Sequence, residues 1–346
     1  MLTRDEAIDA VRGLCIFSMV IGHISFGSTL WGIVHPVPWI DGASGFVLLA
    51  GLVVGMVSRR RADVAGVAWS QLRLARRIVL LYLSQFALTA LAVVVSLTTT
   101  RPDAGLLDAG QVPPARVVWW LATMQINPDH IDILSMYVVL QVLAMLWIAL
   151  SSRRCRLLAV VSSTALYTAA LALNWGRLPN RPDGWAFFNT AGWQALFGIA
   201  FAVGWYWSAL RDPLRGRVAL AVACVGGLAV ATAGVIVHHV GAGGWLFDKA
   251  SCGPARIALA LAAFVVLYQL MRFVHARAPA LVGPVALVGS RSLACFIALS
   301  VVDVLLPVMI GDHPTSPAAQ IAAVLTMVLM YPVARARRAV GMAVTR

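Results

Sequence analysis

Charged side chains are scarce in this 346-residue chain: they make up 12% of it, against 60% hydrophobic residues, a balance far outside that of soluble domains. That leaves little chain for a water-facing domain. Cysteine offers no scaffold either. Cys15, Cys155, Cys224, Cys252 and Cys295 are scattered, and only Cys252 is expected in an outer loop, so neither a disulfide framework nor a metal-ligand spacing is present and no metal is expected. The connections between apolar runs are short, and no internal repeat is visible.

What the chain has in abundance is apolar runs long enough to cross a bilayer, which takes roughly 20 helical residues each. Ten candidates fall near 11–31, 41–58, 74–99, 131–151, 156–174, 186–208, 217–239, 254–274, 284–310 and 317–337. The expected fold class is an all-α integral membrane protein, with 1–346 forming a single bundle of about ten transmembrane helices. The longest non-spanning piece, about 100–130, contains VVWWLATM, which suits an interfacial helix with its tryptophan pair at headgroup level.

A net charge of +13 raises the question of nucleic acid, but basic residues in a membrane protein more often report topology. With the N-terminus cytoplasmic, one side receives 20 of the 27 basic residues, including six arginines in 59–77, and the other side only Arg101, Arg116, Arg177, Arg181, Lys249 and Arg256. Arg291 falls inside a span. This split predicts both termini in the cytoplasm, with 100–130 and 240–254 facing outward, in a multi-pass membrane protein; no nucleic-acid partner is expected. A signal peptide is a weak reading of the first 31 residues. Asp5, Glu6 and Asp9 make the start acidic, and no small-residue cleavage site follows the apolar run.

The first span, VRGLCIFSMVIGHI, keeps Arg12 near one end and His23 near the other. A charge at the bilayer centre costs at least about 2.5–3.5 kcal/mol, so such residues are usually held for a purpose. Of seven histidines, His35, His130, His238, His239 and His313 are expected at or beyond the outer face and His275 in an inner loop, which leaves His23 as the one inside a span. A histidine hydrogen-bonded to a neighbouring helix would serve structure equally well. The His238–His239 pair reads as interfacial rather than metal-binding.

Carboxylates collect on the expected outer face: Asp41, Asp129, Asp132, Asp183, Asp248, Asp303 and Asp312. Asp129 and Asp132 precede the span beginning ILSMYVVL, near the expected depth of His23. A carboxylate there would hold one imidazole nitrogen and make the other a better base. Either could instead cap its helix. Arg12 and Arg291, both in the inner third of their spans, could bind an anion or snorkel to inner headgroups, and Arg76–Arg77 could meet phosphate or simply fix topology.

The Arg-x10-His pair of the first span resembles the acyltransferase 3 superfamily of integral-membrane acyltransferases. IDAVRGLCIFSMVIGHI, GASGFVLLAGLVVGMV, LARRIVLLY, IDILSMYVVLQVL, FFNTAGWQALFGIAF and GSRSLACFIALS, in that order along nearly the whole chain, resemble the OpgC family within it. The resemblance implies an acyl-coenzyme A-dependent O-acyltransferase. Its acyl group, succinyl in that family, would pass from cytoplasmic succinyl-coenzyme A to a hydroxyl of a periplasmic or other cell-envelope glycan. Two departures bear on the acceptor: a family phenylalanine–asparagine–proline segment reads Phe188-Asn189-Thr190, and its serine before glycine in the second span is Ala50 before Gly51.

On this reading His23 is the general base, oriented by Asp129 or Asp132. Arg12, Arg76, Arg77 and Arg291 meet the donor, and Asp41, Asn189, Trp193 and Gln194 line the acceptor pocket. Membrane lipid is the surrounding partner, and a homodimer is an open arrangement. The competing reading is a transporter for an anion or a lipid-linked sugar, which buried charges also suit, although the paired broken helices of repeat-built carriers are not evident.

Overall fold

The fold is a computed structural model that describes residues 5–99, 112–153, 155–182, 184–241, 243–311 and 313–344, the last eight by backbone alone. Asp183, Asp312, Arg101 and the first part of the 100–130 segment lie outside the described residues. The helices are α1 Glu6–Ile24, α2 Thr29–Val34, α3 Gly42–Ala65, α4 Val67–Thr98, α5 Pro114–Ala122, α6 Asp132–Ser152, α7 Arg156–Leu173, α8 Thr190–Trp205, α9 Trp207–Leu214, α10 Arg217–Val240, α11 Pro254–Arg277, α12 Pro279–Ser290, α13 Ser292–Ile310 and α14 Pro317–Val344. Among the described residues nine helices (α1, α3, α4, α6, α7, α10, α11, α13 and α14) are long and apolar enough to cross a membrane. The protein is an all-α multi-pass membrane protein with one small antiparallel hairpin, β1 Arg177–Asn180 and β2 Gly184–Asn189.

Three expected spans differ in form, each for a local reason. The first ends at Ile24 rather than residue 31, because the Ser25 hydroxyl turns back to the Ile21 carbonyl and Gly27 takes a left-handed φ of 74°; Ser28 then caps the separate α2. The sixth, expected from residue 186, begins as strand. GWAFFN alternates there, with Ala186 and Phe188 buried and Trp185 and Phe187 exposed, until Asn189 caps the 16-residue α8. The ninth is broken at Arg291 into α12 and α13, after Gly289 and a Ser290 whose hydroxyl bonds back to the Leu287 carbonyl.

Contacts divide the chain into two units. The first comprises Met1–Phe46, Asp212–Gly241 and Ala258–Arg346; the second, Val47–Arg211 and Ala242–Ile257. In the first, α1 is the central element and small residues set its spacing. A Cβ on Gly13 would strike the Val285 carbonyl of α12, one on Gly289 the Asp9 carbonyl of α1, and one on Gly42 the Cys15 carbonyl. Asp5 caps α1 through Ala7 N and accepts from the Tyr268 hydroxyl at 2.8 Å and the Arg215 guanidinium at 3.2 Å, which ties the helix start to α11. Gly13→Ala is therefore expected to destabilise the protein by about 1–3 kcal/mol through overpacking against backbone. Gly22→Ala, with nothing within 4 Å of the added carbon, should be neutral or stabilising. Thermal melting of both variants in detergent checks this; equal melting temperatures would show that α1 and α12 separate at little cost.

In the second unit the same device joins α3 to α8, where Gly51 and Gly55 meet the Phe197 and Phe201 carbonyls and Gly204 meets that of Leu52. Trp147 of α6 packs on Phe197 and Phe201 at ring separations of 6.0 and 5.7 Å, and Gln71 of α4 donates to the Met145 carbonyl of α6 at 2.7 Å. The hairpin is held at the α6 start, where the Asp132 carboxylate accepts from Phe187 N–H at 3.0 Å and Phe188 N–H at 3.4 Å.

Candidate active site

His23 lies in the last turn of α1, and its Nδ1 stands 2.7 Å from Asp303 Oδ2 on α13. Both side chains are largely buried, at 16% and 7% exposure. An ionised carboxylate can only accept, so Nδ1 carries the proton in this contact and the neutral ring's lone pair resides on Nε2. That is the arrangement in which a carboxylate fixes the tautomer of a histidine base. Within the first unit the carboxylate paired with His23 is Asp303, which the sequence did not single out; the expected Asp129 and Asp132 belong to the second unit. Asp132 is 1% exposed and engaged with the hairpin backbone, while Asp129 is exposed. Three residues before Asp303, Ser300 holds a hydroxyl that is buried and, among the described residues, without a hydrogen-bond partner.

Arg12 of α1 and Arg291, at the break between α12 and α13, sit one level away from this pair. Gly289 packs on the Asp9–Gly13 turn of α1 and Asp303 meets His23, so the chain from Gly289 through α13 runs parallel to α1. Arg12 precedes His23 by 11 positions and Arg291 precedes Asp303 by 12, which separates the arginine level from the His–Asp level by about 16–18 Å along the helices. Arg291 is half-buried at the break between α12 and α13, and its Nε is buried without a partner among the described residues. A helix break inside a membrane protein is tolerated where protein covers it, and it is a common place for ligand contacts. Asp41 belongs to this first unit too, and there its Oδ1 accepts from Ser44 N–H at 2.8 Å at the start of α3.

The remaining expected site residues lie in the second unit. Arg76 and Arg77 are exposed on α4, a 32-residue helix whose length of about 48 Å exceeds the hydrocarbon core. Asn189 and Trp193 are fully buried and hydrogen-bonded to backbone. The Asn189 amide donates to Trp175 O at 3.0 Å and accepts from Gly192 N–H, and the Trp193 indole donates to Lys249 O at 3.0 Å. Gln194, also buried, pairs with Ser163 on α7 and contributes to a cavity beside the hairpin. Outside the spans, the Asp248 carboxyl lies below its ordinary range: burial raises it, but the Ser251 hydroxyl and N–H, the Ala250 N–H and the charge of Arg177 more than offset that.

A second histidine reaches into the bundle. His35, expected at the outer face, is buried; its Nδ1 faces the Trp31 carbonyl at 3.2 Å, and Ser18 of α1 lies 2.8 Å from its Nε2. The carbonyl fixes the proton on Nδ1, so the Ser18 hydroxyl donates to Nε2. The Ser25 and Gly27 turn folds α2 back against α1, a consequence that the apolar count over 11–31 hides.

A sequence model of the family described as OpgC protein matches residues 4–340. The chain belongs to the OpgC family. Neither a curated protein nor a solved structure matches it. OpgC membership makes it a multi-pass membrane acyltransferase of the kind that acts on glucans. Among the described residues no group of His, Cys, Asp and Glu could hold a metal ion.

Proposed function

We propose that this OpgC protein moves a succinyl group from cytoplasmic succinyl-coenzyme A to a hydroxyl of an extracytoplasmic glucan across a bacterial inner membrane. The observation that carries the reading is the buried His23–Asp303 pair. A sugar hydroxyl is a poor nucleophile until a base within hydrogen-bond reach takes its proton. His23 Nε2 accepts that proton as the sugar oxygen attacks the thioester carbon, while Asp303 stabilises the imidazolium that forms. The C–S bond then breaks, and the proton on Nε2 passes to the departing thiolate. The nucleotide stays at the arginine-rich level, and only the pantetheine arm need cover the distance to His23. The uneven distribution of basic residues supports this orientation, with both termini in the cytoplasm.

The test is transfer by purified protein in proteoliposomes, with succinyl-coenzyme A inside, glucan oligosaccharide outside, and product read by mass spectrometry. Added succinyl mass on the glucan is expected; its absence, with the mass found on no other glycan offered, would remove the reading and reopen that of a carrier. In the same assay Arg291→Ala should raise the KM for donor about tenfold or more, as loss of one charge-assisted contact does, and leave that for acceptor unchanged. An unchanged donor KM would return Arg291 to a structural role at the helix break.

A further inference from the structure

A cavity of about 550 Å³ lies in the second unit, bounded by α6, α7, the hairpin and the start of α8. Its two ends differ in chemistry. Val139 and Leu143 of α6 and Leu166 and Leu173 of α7 form an aliphatic wall. Val139 and Leu143 are 7 and 11 positions into α6, about 10 and 16 Å below the helix start. Only 6% of the apolar window of α7 is buried within the protein, so this flank of the cavity meets the bilayer. At the hairpin end stand Arg177 and Thr190, with the indoles of Trp175 and Trp185 largely exposed beside them.

The polar end has unspent hydrogen-bonding capacity. Thr190 is 95% buried, at 5% exposure, and among the described residues its hydroxyl has no partner; Arg177 Nε is likewise buried without one among them. Among the described residues Asp248 feels the charge of Arg177, and its Oδ2 is occupied by Ser251 N–H and the Ser251 hydroxyl. Buried donors left unpaired are costly, and a cation beside a hydroxyl at the positive end of α8 suits an anion. A sugar would find the indoles but nothing to match a wall of aliphatic side chains at bilayer depth. An amphiphile with an anionic head and an alkyl chain matches both ends.

We propose that this cavity binds an anionic glycerophospholipid, its phosphate at Arg177 and Thr190 and one acyl chain along the α6–α7 wall. The site does not depend on the acyl-transfer reading. The two indoles then sit at headgroup level, where tryptophan is favoured.

Native mass spectrometry of the full chain, released from nanodiscs containing equal phosphatidylglycerol and phosphatidylcholine, tests this. One phosphatidylglycerol per chain should be retained in preference to phosphatidylcholine. Arg177→Gln should lower that retention about tenfold or more, and Leu143→Trp, which fills the wall, should abolish binding of either lipid. Should the tryptophan variant fail to fold, Leu143→Ala serves, with weakened retention expected. Equal retention of the two lipids by the wild type, or retention unaffected by Arg177→Gln and the folded Leu143 variant, would overturn the proposal. Displacement of the lipid by inorganic phosphate or by glucan oligosaccharide at millimolar concentration would overturn it too, assigning the cavity to a free anion or to the acceptor.

Discussion

His23→Gln is expected to lower acyl transfer by about 10²–10⁴-fold, the usual contribution of a positioned acid–base group, at unchanged donor affinity and melting temperature. Glutamine is the informative replacement because its amide N–H can still donate to Asp303, 2.7 Å from the imidazole in the native protein, while offering no nitrogen lone pair to take a proton. Alanine is the poorer probe. It would leave the Asp303 carboxylate, at 7% exposure, buried without its partner, and breaking such a pair costs on the order of 3–5 kcal/mol. A loss of activity in His23→Ala would thus mix chemistry with stability. Near-normal glucan acylation by the Gln variant, at matched protein level, would show His23 to be a packing residue.

The helical bundle was legible because a span announces itself locally: about 20 apolar residues must be consecutive to cross hydrocarbon. His23 and Arg12 were legible for the same reason, since polar residues inside such a run stand out. What escaped depends on partners distant in sequence or on local backbone chemistry. Asp303 lies 280 positions from His23, and in the sequence it is one of several aspartates near an outer helix end, with nothing to set it above Asp129 or Asp132. Those two drew attention by their place before α6, yet Asp132 serves the backbone of β2. Asn189 and Trp193 show the same dependence: amide and indole groups near a helix start suggest a sugar pocket, and at 0% exposure they donate to the Trp175 and Lys249 carbonyls, partners that only the fold supplies. The break at Arg291 hides inside a continuous apolar run, because hydropathy records composition and not the weakness of a Gly289-Ser290 step.

Asp303→Asn should lower turnover by a similar 10²–10⁴-fold although no atom of residue 303 is proposed to touch the reacting groups. The loss is tautomeric in origin. Asparagine fits the space, but its amide N–H turned toward the ring would make Nδ1 the acceptor and place the imidazole proton on Nε2, where the base lone pair is needed. Even with its carbonyl toward the ring it no longer offsets the imidazolium charge. Donor affinity should stay at the wild-type value, because residue 303 is not proposed to contact the donor. Because base and orienter act as a unit, the His23→Gln, Asp303→Asn double variant should be about as slow as the slower single variant rather than slower by the product. Multiplicative losses in the double variant, or wild-type turnover in Asp303→Asn, would mean that the carboxylate and the imidazole act independently and that the 2.7 Å contact holds α1 to α13 without serving the chemistry.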